Sequence, residues 1–390
     1  MEVRPGYKQT EVGVIPEDWD VGRLGDIATI RDGTHQTPKY VPNGIPFYSV
    51  EHITSGDFTN TKFISEEEHR FLTRFFRIER GDVLMTRIGS IGDCRLVNWD
   101  VNASFYVSLA LLKIRGADAA YIVHYSQLQA FKNEVEKRSL PLATPKKINL
   151  GPISDILVPL PPTTEQRAIA RTLSDVDELI NGLEQLLAKK RDLKQAAMQQ
   201  LLTGQTRLSG FSGEWEMKRL GDVAHIKTGS RNNEDKVDVG QYPFFVRSEV
   251  VERINSYSYD CEAILVPGEG RIGSIFHYIS GRFDVHQRVY AITQFKPDIS
   301  GKFVHLYMSY RFGAWAMQNT VKATVDSLRL PTFQNFEMIM PPTLTEQTAI
   351  AEVLSDMDAE LTALEQRREK TCALKQAMMQ ELLTGNTRLV

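Results

Sequence analysis

Apolar residues fall at helical intervals in two long stretches of this chain. Ile169, Leu173, Val176, Ile180 and Leu183 advance by alternating steps of four and three, and Ile350, Leu354, Met357, Leu361 and Leu364 repeat the rhythm. Such spacing lays a seam along one face of a helix that packs lengthwise on another. Towards the C-terminal half of each stretch the stripe is expected to change face, through Leu186, Leu193 and Ala197 in the first and Leu374, Met378 and Leu382 in the second. Pro159, Pro161 and Pro162 cannot continue a helix, so the first stretch begins after them. Thr163 stands three residues before Gln166 and Thr343 three before Glu346, which fits a capping box at each start, and Gly204 and Gly385 supply the stops. About 40 helical residues make a rod of roughly 60 Å. Two such rods joined by a globular insertion can lie antiparallel; a core helix repeated by gene duplication is the plainer alternative, and it is usually far shorter.

The pattern elsewhere is that of strands and turns. Phe47–Val50, Asp82–Met85 and Val107–Ile114 are β-branched, aromatic or aliphatic runs bounded by Gly, Pro, Asn and Asp. Tyr121 to Lys137 and Phe303 to Gln318 each read as one amphipathic helix. The two globular segments echo one another: Trp19, Arg23-Leu24-Gly25-Asp26, Ala28, Ile30 and Gly33 match Trp215, Arg219-Leu220-Gly221-Asp222, Ala224, Ile226 and Gly229. Arg87-Ile88-Gly89-Ser90-Ile91 likewise matches Arg271-Ile272-Gly273-Ser274-Ile275. The expected fold class is α/β, mixed α+β, with two globular domains separated by two long helices packed as an antiparallel coiled coil. Its boundaries are 1–160, 161–206, 207–341 and 342–390. A pseudo-twofold molecule is suited to reading something pseudo-twofold.

Composition changes this picture little. At 390 residues, 42% hydrophobic and 24% charged, the chain has the make-up of an ordinary globular protein of two to three domains. The N-terminus lacks an apolar core followed by a small-residue cleavage site, and no run approaches the length of a membrane span, so a cytoplasmic location is expected. Cys94, Cys261 and Cys372 are odd in number and unpaired in spacing, which supports neither a disulfide framework nor a metal site. A formal charge of −3 gives no global signature of nucleic-acid binding, so any basic footprint must be local.

The duplicated text carries a resemblance. Glu-Gln-Arg-Ala-Ile-Ala from Glu165 returns as Glu-Gln-Thr-Ala-Ile-Ala from Glu346, each after a Pro-Pro lead-in, and Leu201–Leu208 returns as Leu382–Leu389. With the opening Gly6–Pro16 and Trp19, these residues make the chain similar, along its whole length, to the specificity subunit of type I restriction-modification systems. The resemblance implies two variable target-recognition domains, each reading half of a split sequence on double-stranded DNA, held apart by the helical regions. It implies no chemistry in this chain. Two methyltransferase (modification) subunits would dock on it and methylate adenine, and two ATP-dependent restriction subunits could join for cleavage in phage defence. S-adenosylmethionine, ATP and Mg are then expected in those partners, with no cofactor or metal bound here. The sequence agrees, having no Asn-Pro-Pro-aromatic motif, phosphate loop, His-Glu-x-x-His or paired Cys ligands. Gly89–Gly92 reads better as a tight turn between strands than as a phosphate cradle.

Base reading needs Arg for guanine and Asn or Gln for adenine, with Lys or backbone N–H groups for phosphate. Two corresponding stretches offer them in Gly-rich loops: Arg31, Thr34, His35, Gln36 and Lys39 in the first half, and Lys227, Ser230, Arg231, Asn232 and Asn233 in the second. His35 ranks below Arg31 and Gln36 because a histidine can be structural. Arg87 and Arg271, Thr144 with Lys146 and Lys147, and Lys322 with Ser327 and Arg329 are secondary candidates for phosphate. A solvated polar loop is the plain reading of any one of these side chains. Leu186, Leu187, Met198, Met378 and Met379, with Lys189-Lys190-Arg191 and Arg367-Arg368, would contribute exposed partner-docking faces on the rods. Rivals to the DNA-reading function are a scaffold that gathers enzymes without reading DNA, and a self-sufficient DNA enzyme, against which the missing motifs count.

Overall fold

The computed structural model describes residues 4–320 and 327–389. The chain divides into two compact units, Met1–Glu184 with Arg367–Val390, and Gln185–Gln366. Two long helices, Thr163–Leu202 and Leu344–Leu382, each contribute one part to either unit. In each unit the start of one long helix is therefore packed with the end of the other, in antiparallel sense.

In the first unit, strands Ala28–Asp32, Leu109–Ile114, Val83–Thr86 and Cys94–Leu96 lie side by side in that order, all antiparallel. The central strands are buried on both faces, which explains why Val83–Thr86 is an apolar run rather than an alternation. Val83, Met85, Ala110 and Leu112 face one core, built on helices Ala119–Ser126 and Gln129–Arg138 and on Ile169, Leu173, Met379 and Leu382 of the long helices. Their neighbours Leu84, Leu109 and Leu111 face another core with Tyr48, Ile53 and Phe105. A second sheet, ordered Ser104–Phe105, Ile45–Tyr48, Lys62–Ile64, Tyr40–Val41, covers that side.

The second unit repeats the plan with one six-stranded sheet, from His225–Thr228 through Val289–Thr293, Tyr259–Pro267, His277–Val285 and Tyr242–Phe245 to Glu252–Ile254. The same alternation recurs: Ile264, Val266 and Ile292 face helix Gly301–Gln318 and the long helices, while Ala263, Leu265 and Ala291 face the opposite core. The single helix expected at Tyr121–Lys137 is two, because the chain breaks at Gln127–Leu128 between Ala119–Ser126 and Gln129–Arg138. Its counterpart, Gly301–Gln318, is unbroken.

The seam of the long helices begins as the spacing predicts, with Ile169, Leu173, Leu183, Ile350, Leu354 and Leu361 buried and Val176, Ile180, Met357 and Leu364 half-buried. It does not then change face. The steps of three and four continue through Leu187, Lys190, Lys194, Ala197 and Leu201, and through Arg368, Thr371, Lys375, Met378 and Leu382. Of the expected new stripe, Leu186, Leu193 and Leu374 are exposed, whereas Ala197, Met378 and Leu382 lie on the continuing seam. The stripe is interrupted by charge because the seam lysines, Lys375 buried and Lys190 and Lys194 half-buried, each meet an acid across the seam. In the first unit Lys375 pairs with Asp177 at 2.7 Å; in the second, Lys194 pairs with Asp358 and Lys190 lies 2.7 Å from Glu360. Arg191 reaches Glu365 and Arg368 lies at the edge of ion-pair range of Glu184, so this basic face stitches helices together rather than lying free.

The duplicated Glu-Gln begins each helix with a buried clamp. In the first unit Glu165 accepts from the Trp19 indole N–H at 3.0 Å and from Arg388, and Arg388 also binds Asp18. In the second, Glu346 takes Arg207 in the same way. Gln166 accepts from the backbone N–H of Asp118 and donates to the Pro161 carbonyl; Gln347 accepts from Ser300 and donates to Pro341 and Asp298. These buried side chains fix the first turn of each long helix to its globular part. Of the two expected threonine caps, Thr343 accepts from Glu346 N–H, whereas Thr163 is already helical and the Pro162 carbonyl serves Glu165 and Gln166. Gly204 and Gly385 both stand at φ +71, the left-handed stop that glycine permits.

Candidate nucleic-acid interface

Each unit turns sharply at the end of its first sheet strand. At Gly33 a Cβ would come 2.1 Å from the Phe105 carbonyl oxygen, and at Gly229 it would come 2.0 Å from that of Val285. Only glycine lets the backbone pass this close. Two residues before these glycines stand Arg31 and Lys227, both exposed, and both on strands rather than in the loops expected for them. The chain after each glycine makes a parallel bridge, Thr34 with Tyr106 and Arg231 with His286.

The letters differ where the backbone agrees. In the first unit Thr34 is half-buried, with its hydroxyl engaged by the Gln36 backbone; His35, Gln36 and Lys39 are exposed, and His35 lies 2.9 Å from Asp32. In the second, Arg231 reaches back to buried Asp284 at 3.0 Å, Asp284 also accepts from Ser256, and Gln287 donates to Asn232. Ser230 and Asn233 are exposed, and Asn233 opens a single 3-10 turn, Asn233–Asp235. Burial pushes the pKa of His286, beside this loop, down, reinforced by Arg247 and Arg288.

Arg87, a candidate for phosphate, is not a surface residue. It is 4% exposed, donating to Asp32 at 2.9 Å and to the carbonyl oxygens of Ile148 and Val107, both at 3.2 Å. It bolts together the ends of three segments whose tips are exposed. Nor does Arg271 match it. The backbone pairs Ile88 with Lys147 and Glu269 with Ser327, which aligns Arg87 with Gly268. Positive φ at Gly89, Gly92, Gly270 and Gly273 confirms the register: Gly89-Ser90-Ile91-Gly92 corresponds to Gly270-Arg271-Ile272-Gly273. The sequence match was three residues out, and Arg271 stands where the first unit has Ser90. In place of Arg87, the second unit uses Tyr290, whose hydroxyl lies 3.4 Å from the Leu328 carbonyl and whose ring would clash with a Cβ at Gly268.

Around these turns, Thr144 and Lys146 are exposed, Lys146 pairing with Glu136 at 2.6 Å, while half-buried Lys147 is held in its bridge to Ile88. Arg271 is exposed and pairs with Glu249 at 2.9 Å; Arg329 is exposed and Ser327 half-buried. Lys322 lies outside the described residues. Sequence reasoning missed Arg74, Arg77, Lys113 and Arg115, which join Arg31 around a cleft of about 540 Å³ in the first unit. The signal was the run Phe71-Leu72-Thr73-Arg74-Phe75-Phe76-Arg77, basic and aromatic together. Among the described residues no three His, Cys, Asp or Glu side chains converge as a metal site would require.

The proposed docking residues divide. Leu187 and Met379 are buried in the helix packing, and Met198 and Met378 rest against the cores, because the seam keeps its face to the helix ends. Leu186 alone of the five is exposed.

Two globular parts of one plan, each anchored on a pair of long helices and each bearing a divergent loop at a matching turn, define a duplicated recognition protein. Residues 16–191 and 212–372 match the family described as the type I restriction modification DNA specificity domain, and the chain belongs to that family. It is 25% identical to the type I restriction enzyme MjaX specificity subunit of Methanocaldococcus jannaschii over 98% of this chain and 97% of that one. The MjaVIII specificity subunit of the same organism is 25% identical over 96% of this chain and 94% of its own. Among solved structures, the type I restriction-modification S subunit from M. genitalium shares the fold with a TM-score of 0.69 at 14% identity, over 98% of both chains. Among the described residues no helix is long and apolar enough to cross a membrane.

Proposed function

We propose that this chain is the sequence reader of a type I restriction-modification complex, recognising an asymmetric, bipartite DNA site with one half assigned to each unit. The observation that carries this reading is the matching pair of glycine-held turns, alike in backbone and unlike in side chains. One turn offers Arg31, Gln36 and Lys39, the other Lys227, Ser230 and Asn232. Different letters on one frame suit two different half-sites. With one half assigned to each unit, several unspecified base pairs are expected between the halves.

The chain performs no chemistry in this reading. Two methyltransferase subunits carry S-adenosylmethionine and methylate adenine, and restriction subunits carry ATP and Mg. Leu186 and Leu193, exposed and seven residues apart on the second unit's part of the first long helix, suit one of the docking faces. The charge of −3 leaves much of the phosphate neutralisation to partners, so the isolated chain binds DNA weakly in the cytoplasm and gains affinity on assembly.

Selection of DNA from a random pool by the chain assembled with its methyltransferase tests the division of labour. Gln36→Ala is expected to relax preference in one half-site and Asn232→Ala in the other, each by about 1–3 kcal/mol of discrimination at the affected base. Relaxation of both halves by either substitution would contradict it.

A further inference from the structure

The strands Lys62–Ile64 and Val83–Thr86 of the first unit correspond to Glu252–Ile254 and Tyr259–Pro267 of the second. In the second unit only Asn255–Ser258 joins them. In the first, Ser65–Asp82 intervenes and contains the helix Glu66–Thr73, none of whose residues is buried. The fold therefore does not require this helix for its core. Yet the segment displays two large aromatic rings: Phe71 is 62% exposed and Phe75 82% exposed. The Arg74 guanidinium lies 4.6 Å from the Phe71 ring centroid and 4.5 Å from that of Phe75, so the cation and both rings gather in one platform at the helix end.

Charge says what the platform faces. The cleft beside it is lined by Arg31, Arg74, Arg77, Lys113 and Arg115, with Glu79 the one carboxylate among its lining residues. Arg77 and Lys113 bind Glu79, whereas Arg31, Arg74 and Arg115 have no carboxylate partner among the described residues. The helix's own acids, Glu66, Glu67 and Glu68, gather in its first turn, at the end away from the platform. The position is continuous with the reading loop, because Leu72, Thr73 and Phe76 share a second cleft with Gly33 and Thr34. Arg31 belongs both to the loop's strand and to the basic cleft.

We infer that Phe71, Arg74 and Phe75 form a base-stacking wedge on DNA, present in the first unit only, with Arg31 and Arg115 holding the adjoining phosphates. The inference rests on the DNA-reading function proposed above and adds to it a contact that reads stacking and deformability rather than base edges. Aromatic faces stack on any base, so the wedge strengthens and positions the first half-site without specifying a letter. The second unit, lacking the insertion, binds its half-site without it.

The test uses the full chain assembled with its methyltransferase subunits on a duplex carrying the methylated motif, with 2-aminopurine placed in turn at positions in and beside each half-site. Wild type is expected to raise the fluorescence at a position next to one half-site only. Phe71→Ala with Phe75→Ala should abolish that signal and weaken binding about tenfold or more, with the motif and thermal stability unchanged. Arg115→Gln, which removes a phosphate contact, should lower the salt dependence of binding by about one unit of slope. Unchanged affinity, slope and fluorescence in these variants would overturn the inference. So would variants that bind the DNA normally but lose the methyltransferase, which would make the platform a protein-docking face. A wild-type chain that selects no DNA sequence would instead overturn the reading function, and the wedge with it.

Discussion

Arginine residues in this chain do three different jobs, and burial separates them. Arg388 and Arg207 clamp the buried glutamates at the helix starts, and the paired carboxylates hold Arg388 protonated well above its ordinary range. Arg87 is enclosed and ties the reading segments together. Arg31 is exposed on its strand and free to meet phosphate or a base edge. Arg87→Ala is therefore expected to cost about 2–3 kcal/mol of stability, somewhat less than a fully buried pair because Asp32 stays partly hydrated. Arg31→Ala should leave the unfolding midpoint within about 0.5 kcal/mol of wild type and reduce the salt slope of DNA binding by about one. Denaturant melts and a salt titration read the two effects separately; a steep loss of stability in Arg31→Ala would contradict the assignment. Sequence alone could not sort these residues, since Arg87 and Arg271 share five letters of context and occupy different places in the turn.

At the scale of elements, each unit sets a histidine, His124 buried and His305 half-buried, beside an acid–base pair of the long helices. His124 has one ring nitrogen 3.1 Å from the Ser174 hydroxyl and the other 3.9 Å from Asp177, the partner of Lys375. His305 feels Asp358 and Lys194, the corresponding pair. Burial is the main cause that pushes both pKa values below the ordinary histidine range, and it does the same to His69 and His286. Below about pH 6.5 the unfolded chain takes up protons that these histidines refuse. The stability they contribute is thus present above that pH and is lost as pH falls towards their folded values. Thermal unfolding should show a lower midpoint at pH 5.5 than at 7.5, with a smaller difference in a His124→Gln, His305→Gln double variant; an unchanged difference would show that other groups carry it. The elements themselves were largely legible, because apolar runs bounded by turn residues mark the strands and a three-four seam marks the long helices. The continuation of the seam was not, because Lys190, Lys194 and Lys375 occupy seam positions. An apolar count passes over a cation whose acid partner lies on a helix far away in sequence.

The molecule as a whole is one plan used twice, and that was the most legible feature of all, since duplication writes the same anchors into the chain two times. Trp19 and Trp215, Gly33 and Gly229, Glu165 and Glu346 hold corresponding places, and the family match spans both copies. What escaped the sequence is where the copies depart from each other. The insertion Ser65–Asp82 belongs to one unit only, and the three-residue shift at Gly270 is hidden by a chance echo of letters. Both departures border the turns where DNA would be read, as asymmetric recognition requires. In the proposed function this chain chooses the DNA sequence on which its partners act. Single-molecule methylation mapping, in cells expressing the chain with its methyltransferase and in cells lacking only the chain, tests it most directly. A methylated adenine motif, asymmetric and split by a fixed gap, is expected to disappear with the chain; the same methylation with and without it, from a methyltransferase shown to be active, would mean that another component chooses the sequence.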